Sequence, residues 1–127
     1  MAYVLDTSAL VSYLKDEPEA GQVEAVLRQP DDLMIPFMTM MELRYVLLRA
    51  YSLSHVDQII ETLRSCGASI VESSTGWGIQ AAEIKARGGL SLGDAWIASL
   101  ALIHGAELVH KDPEFDRVEG LRSIRLY

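Results

Sequence analysis

The stretch Ala2-Tyr3-Val4-Leu5-Asp6-Thr7-Ser8 joins a short apolar run to an acid and two hydroxyl residues. An apolar run of this length that ends at polar residues is typical of a buried strand. Helical spacing over Ser8–Lys15 follows it, and Pro18 then ends the pattern. The stretch therefore predicts a strand that passes directly into a helix, with Asp6 at the carboxyl end of the strand.

Strand and helix patterns alternate along the rest of the chain. Further strands are predicted at Leu33–Ile35, Ala68–Val71, Glu107–His110 and Arg122–Leu126. Further helices are predicted at Glu19–Arg28, Met40–Tyr51, Val56–Cys66, Gly76–Ala86 and Leu92–Ile103, and Gly67 is placed to end one of them. This alternation predicts an α/β fold with a central, mostly parallel sheet flanked by helices on both faces.

The composition is that of one globular domain covering residues 1–127. Hydrophobic residues make up 50% of the chain and charged residues 23%, which excludes a disordered protein. Cys66 is the only cysteine, so no internal disulfide can form, and we expect it to be buried as a small apolar side chain.

The sequence contains neither a secretory leader nor an apolar run of the roughly 20 residues needed to cross a bilayer. A cytoplasmic protein with no membrane partner is therefore expected. The net charge of −7 argues against a nucleic-acid binder, because phosphate contacts usually require a basic surface. Acids clustered on a bound cation would weaken this objection, since the metal supplies positive charge.

Four acids that are far apart in sequence converge on one edge of the predicted sheet. Connections between parallel strands are right-handed, and their helices run antiparallel to the strands. Asp6 directly follows a strand and Asp112 comes just after another, whereas Glu42 and Asp94 lie in the first turns of helices that start at the same edge. Open α/β sheets place their ligand sites at this edge.

Each acid also has a purely structural explanation. Asp6 can cap the helix that follows it. Thr39-Met40-Met41-Glu42 fits the capping-box pattern, and Ser91-Leu92-Gly93-Asp94 is a near match. Asp112 can be a plain turn residue. Capping and metal binding are compatible, and capping alone does not explain why all four acids meet at one edge.

A divalent cation accounts for such a cluster. Carboxylates held close together repel and raise each other's pKa, and a bound cation removes that repulsion. All-oxygen ligand sets suit Mg²⁺ or Mn²⁺. Zinc is not expected, because His55, His104 and His110 show no ligand spacing.

Four motifs occur in order over essentially the whole chain: Leu5-Asp6-Thr7-Ser8-Ala9-Leu10, Met41-Glu42-Leu43, Leu92-Gly93-Asp94-Ala95-Trp96-Ile97-Ala98 and Lys111-Asp112-Pro113-Glu114-Phe115. This set resembles PIN domains, and most closely the VapC-type toxins of bacterial and archaeal toxin–antitoxin pairs. The resemblance implies a metal-dependent endoribonuclease that cleaves structured RNA such as tRNA or rRNA. It also implies a homodimer and inhibition by a small VapB-like antitoxin.

The resemblance further implies a catalytic, Mg²⁺- or Mn²⁺-binding set made of Asp6, Glu42, Asp94 and Asp112. It suggests Thr7 or Ser8 as a supporting polar group near the metal. His110 stands where the family usually has Thr or Ser, two residues before the last acid. Glu114 or Asp116 could therefore share the role of that acid.

Basic and aromatic residues near the predicted site could contact RNA or pack in the core. Arg44, Lys111 and Arg117 are candidates for RNA contact. Trp96 is expected in the core, with base stacking as the alternative, and Trp77 is expected to pack.

The helix predicted at Met40–Tyr51 carries a second apolar face formed by Tyr45, Leu48 and Tyr51. This face is either a surface for a second copy or an antitoxin, or it is covered within the monomer.

The sequence is also compatible with functions other than that of a nuclease. The same fold could be a non-catalytic RNA-binding or scaffold module whose acids are only helix caps. A phosphohydrolase with Asp6 as covalent nucleophile usually carries a second Asp two residues later, where this chain has Ser8. A phospho-acceptor signalling domain is a third possibility.

Overall fold

A computed structural model describes residues 1–127, and its five strands form one sheet. The strands are β1 (Tyr3–Leu5), β2 (Leu33–Pro36), β3 (Ser69–Val71), β4 (Glu107–His110) and β5 (Arg122–Arg125). The helices are α1 (Thr7–Leu14), α2 (Ala20–Leu27), α3 (Phe37–Leu48), α4 (Leu53–Arg64), α5 (Thr75–Ala86) and α6 (Leu92–His104). All four strand pairings are parallel, which confirms the predicted α/β class.

The strand order is β3-β2-β1-β4-β5, so β1 is central. The chain first winds outward from β1 to β3 and then returns to place β4 on the other side of β1, where Leu5 pairs with Val109. The connections of β1 and β4 thus diverge to opposite sides, which opens a crevice at the carboxyl ends of these two strands. Asp6 and Asp112 follow these strand ends, as the sequence predicted.

Two apolar clusters cover the two faces of the sheet. Successive strand residues point to opposite faces, so Leu5 joins one cluster and Val4 joins the other. The cluster with Leu5 is closed by α1 to α4, through residues such as Leu43 and Ile60. The cluster with Val4 is closed mainly by α5 and α6, through residues such as Trp77. The sheet is therefore covered on both faces, as predicted.

Most element boundaries match the predictions within two residues, but two helices begin three residues early. The helix α3 starts at Phe37, directly after β2, with Pro36 as its N-cap residue. The helix α4 starts at Leu53, because the Ser52 side chain accepts a hydrogen bond from the amide of His55. The prediction that Glu42 lies in the first turn of its helix is therefore wrong, since that residue lies in the second turn.

Short 3₁₀ turns at Pro30–Asp32 and Pro113–Arg117 were not predicted. The helix α4 ends at its C-cap residue Ser65, two residues before the left-handed Gly67 that was predicted to end it, and the left-handed Gly105, with φ of 59°, is the C-cap residue of α6. Cys66 is only half-buried, so its predicted burial is met in part. No helix of the chain combines the length and apolar character that a bilayer crossing requires.

Candidate metal centre

Asp6 is the most buried acid of the site, with 3% of its surface exposed. It is the N-cap residue of α1, and its Oδ2 accepts hydrogen bonds from the amide of Ser8, at 3.0 Å, and from the Ser8 hydroxyl. Its Oδ1 is buried and has no hydrogen-bond partner within the chain. A buried carboxylate oxygen without a hydrogen-bond partner destabilises the folded protein. Binding of a cation by Oδ1 would explain why Asp6 stands at this position.

Glu42 reaches the site from the second turn of α3. Its Oε1 accepts a 2.8 Å hydrogen bond from the hydroxyl of Thr7. The capping-box interpretation of Thr39 and Glu42 is wrong, because the fully buried Thr39 hydroxyl instead donates to the carbonyl of Leu5 at 2.9 Å. That bond ties α3 to the end of β1 and so places Glu42 over the same edge.

Asp94 lies in the first turn of α6. The N-cap residue Ser91 accepts a 3.2 Å hydrogen bond from the amide of Asp94, so the predicted capping geometry is confirmed. The side chain of Asp94 carries a carboxylate oxygen that lies within 4.8 Å of carboxylate oxygens of Asp6 and Glu42. Its carboxylate lies at the first turn of the helix, where the positive end of the helix dipole favours negative charge.

Asp112 caps the 3₁₀ turn that follows β4 and accepts a 3.0 Å hydrogen bond from the amide of Glu114. Its own amide donates to Nδ1 of His110 at 3.1 Å. His110 is completely buried in β4, so it is a core residue that positions this turn and has no access to a substrate. The imidazole thus makes the local contact that a hydroxyl residue could make at this position.

The structure brings the acids together in two overlapping groups. Asp6, Glu42 and Asp94 each offer a carboxylate oxygen within 4.8 Å of the others. Asp94, Asp112 and Glu114 form a second group, in which each residue also offers a carboxylate oxygen within 4.8 Å of the others. All four predicted acids therefore reach one crevice, with Asp94 shared between the two groups.

Burial and mutual repulsion raise the pKa values of two acids in the crevice. Burial, and next the charges of Asp6, Asp112 and Glu42, raise the pKa of Asp94 to about 7. Burial, and to a smaller extent the charge of Glu42, raise the pKa of Asp6 to about 6, against the lowering effect of its hydrogen bonds from Ser8. A divalent cation would offset the desolvation and the repulsion together. The all-oxygen donor set fits Mg²⁺ or Mn²⁺.

The PIN domain model matches residues 3–121 of the chain. The chain belongs to the PIN domain family. Among solved structures, DNA-bound VapBC from Salmonella typhimurium is 21% identical, with coverage of 100% of this chain and 99% of that chain and a TM-score of 0.81. VapBC-1 from nontypeable Haemophilus influenzae is 25% identical, with coverage of 99% and 98% and a TM-score of 0.78.

Mycobacterium tuberculosis VapC20, a Sarcin-Ricin loop cleaving toxin, has the same fold. It is 16% identical, with coverage of 98% of this chain and 99% of that chain and a TM-score of 0.76. The search of curated protein sequences returned no match. The resemblance stated from the sequence motifs is thus confirmed for the PIN family and its fold.

In this PIN domain the two hydroxyl residues after Asp6 both support the site. Thr7 orients Glu42, and Ser8 orients Asp6. The Ser8 hydroxyl also accepts a 2.9 Å hydrogen bond from the amide of Lys111, which fastens the end of β1 to the end of β4. Thr7 or Ser8 was predicted as a supporting group, and both make such contacts. The supporting role of the Lys111 amide was not predicted, because a backbone contact leaves no signal in the sequence.

The two alternatives to Asp112 differ. Glu114 joins the second acidic group of the PIN domain. Asp116 instead accepts a 2.7 Å hydrogen bond from Arg125 and a 3.0 Å hydrogen bond from Tyr127. The Arg125 hydrogen bond lowers the pKa of Asp116, so this acid forms a peripheral ion pair.

The basic residues proposed to contact RNA are engaged elsewhere. Arg44 forms a 2.7 Å salt bridge with Asp57 of α4. The ammonium of Lys111 forms salt bridges with Glu17 and Glu19. Arg117 donates to the carbonyl of Gly89 at 3.4 Å. A cation bound in the acidic crevice would itself supply positive charge towards RNA.

The aromatic predictions are confirmed for Trp77, which is buried. Its Nε1 donates to the hydroxyl of Ser99 at 2.7 Å and to the carbonyl of Trp96 at 2.9 Å. Trp96 is half-buried and packs edge-on against Trp77 and Phe37, with ring centroids 5.0 and 5.1 Å apart. These contacts make packing the main role of both indoles.

Proposed function

We propose that the chain, as one domain, is a Mg²⁺- or Mn²⁺-dependent endoribonuclease and the toxin of a VapBC-type toxin–antitoxin pair. The observation that carries this proposal is the group Asp6, Glu42 and Asp94, which each offer a carboxylate oxygen within 4.8 Å of the others, and in which Oδ1 of Asp6 is buried without a hydrogen-bond partner. Caps alone do not require such proximity. The proposed compartment is the cytoplasm.

Asp6 and Asp94 would hold the main ion. Glu42 would complete its shell, and Asp112, with Glu114 beside it, would bind through waters or hold a second ion. When bound, the metal supplies a water of lowered pKa and positive charge at the phosphate oxygens. The chain's own part is to bury Asp6 and to fix its orientation through the amide and hydroxyl of Ser8.

RNA is the proposed substrate, because the similar VapC20 is a toxin that cleaves the Sarcin-Ricin loop. A structured RNA such as rRNA or tRNA is therefore proposed for this chain. A cognate VapB-like antitoxin is proposed because similar chains occur in VapBC complexes.

The proposed homodimer has a candidate surface on α3. Met41, Tyr45 and Leu48 are 52%, 44% and 42% exposed, and Tyr51 follows them just beyond the helix. The predicted second apolar face is thus uncovered in the monomer. Either a second copy or the antitoxin would bury it.

The test is 5′-end mapping of total cellular RNA treated with purified protein in Mn²⁺ or Mg²⁺. A chelator control and the Asp94→Asn variant accompany it, because that variant keeps the shape of the side chain and removes its charge. New ends that need both the metal and Asp94 are expected. Folded wild-type protein that produces no new ends would refute the nuclease and favour a non-catalytic RNA-binding or scaffold module.

A further inference from the structure

Gly93 faces the carboxylate of Glu42 across the α3–α6 contact. A Cβ atom placed on Gly93 would lie 2.6 Å from Oε2 of Glu42 and 3.2 Å from its Cδ. Real Cβ atoms essentially never approach another heavy atom to 2.6 Å. The next neighbour, Cγ of Met38, would be at an ordinary 3.5 Å. Only the absence of a side chain on Gly93 lets the Glu42 carboxylate lie where it does.

The backbone does not explain this glycine. Gly93 is the second residue of α6 and is not among the residues with positive φ. Alanine is the better helix former, by about 1 kcal/mol in a helix interior. Helix propensity therefore gives no reason for glycine at this position, whereas the contact with Glu42 does.

A methyl group at Gly93 would move the carboxylate and leave the helix in place. The helix α6 is anchored by the buried side chains of Ala95, Ile97 and Ala98. Glu42, in contrast, meets the new atom with the end of a flexible side chain.

We infer that Gly93 is a positioning residue, which provides the space for Glu42 to join Asp6 and Asp94 at a shared cation. This inference rests on the proposed metal-dependent function. It assigns to Gly93 no contact with the substrate. Its effect on the metal passes entirely through the carboxylate of Glu42.

The test compares Gly93→Ala with Gly76→Ala. Gly76 is also the second residue of a helix with a serine N-cap, and a Cβ atom there would meet nothing within 4 Å. Mn²⁺ binding is measured by calorimetry, and melting temperatures are measured in chelator. Both glycine changes are also made in a Glu42→Ala background, which forms a double-mutant cycle.

Gly93→Ala is expected to weaken Mn²⁺ binding about tenfold or more, the usual range for residues that orient metal ligands. Its melting temperature in chelator should equal or exceed that of the wild type, as for Gly76→Ala, which should bind Mn²⁺ normally. In the Glu42→Ala background, Gly93→Ala should change Mn²⁺ binding less than twofold.

Wild-type Mn²⁺ affinity in Gly93→Ala would overturn the inference and leave the proposed nuclease intact. An equal loss in the Glu42→Ala background, or a lower melting temperature than Gly76→Ala, would also overturn it, because the effect would not pass through Glu42. A wild-type protein that binds no Mn²⁺ would refute the proposed function, and the inference with it.

Discussion

Asp6→Asn should make the metal-free protein more stable at neutral pH while it abolishes activity. Asparagine is as good an N-cap residue as aspartate, and its Oδ1 can accept both hydrogen bonds from Ser8. The substitution therefore keeps the shape and the cap of the native side chain. What it removes is a carboxylate that is only 3% exposed and lies beside two other acids.

The magnitude follows from the pKa of Asp6, which rises from 3.8 to about 6 in the folded protein. One pKa unit corresponds to about 1.4 kcal/mol, so ionised Asp6 lowers the free energy of unfolding by up to about 3 kcal/mol. The folded state holds the Asp6 proton to a higher pH than the unfolded chain does, so protonation of Asp6 stabilises the fold. This stabilisation is fully present below about pH 4 and is lost as the pH rises through about 6.

The assay is thermal unfolding in chelator at pH 8 and at pH 4. For 127 residues the entropy of unfolding is about 0.27 kcal/mol/K, so 3 kcal/mol corresponds to a rise of about 10 °C at pH 8. At pH 4 the gain should shrink to less than about 1 kcal/mol. Saturating Mn²⁺ should then stabilise the wild type more than Asp6→Asn.

Asp116→Asn is the matched control. The Arg125 hydrogen bond lowers the pKa of Asp116, so its ionised form is favoured in the folded state. Its substitution should leave the melting temperature at pH 8 unchanged or lower it. The reasoning would be refuted if Asp6→Asn gave no stabilisation at pH 8, or the same stabilisation at both pH values.

Three further changes test the support of the site. Ser8→Ala removes the hydroxyl that donates to Asp6, and about a tenfold rise in the Mn²⁺ concentration for half-maximal RNA cleavage is expected; an unchanged requirement would contradict this. Thr39→Val leaves the buried carbonyl of Leu5 without its donor, so a loss of about 1–3 kcal/mol is expected in urea unfolding. Trp77→Phe removes the indole N–H, which donates to both the Ser99 hydroxyl and the carbonyl of Trp96, and should cost about 1–3 kcal/mol by the same measurement, without changing Mn²⁺ affinity.

The parallel sheet and the converging acids could be predicted because both follow from local patterns. Short apolar runs such as Ala2–Leu5 indicate buried strands, and an acid directly after a strand must lie at its carboxyl end. The handedness of strand connections then brings Glu42 and Asp94 to the same edge. None of these steps requires knowledge of side-chain packing.

The start of α3 could not be predicted, because the apolar run of β2 continues through Phe37 and Met38 without a polar break. Propensity alone does not show where such a run changes from strand to helix. The contact between Ser8 and Lys111 joins residues 103 positions apart, so no local pattern contains it. The signal for Gly93 was present as a glycine that helix propensity disfavours.

The central position of β1 also determines at which point of synthesis the sheet can close. Val4 pairs with Met34 early in the chain and with Leu108 near its end. A ribosome-bound chain therefore has β1 as an open edge until β4 emerges, and its acids are not yet assembled. In the proposed nuclease, β4 must therefore be synthesised before the chain can cut RNA, and a chain released before β4 would be inert and prone to aggregate.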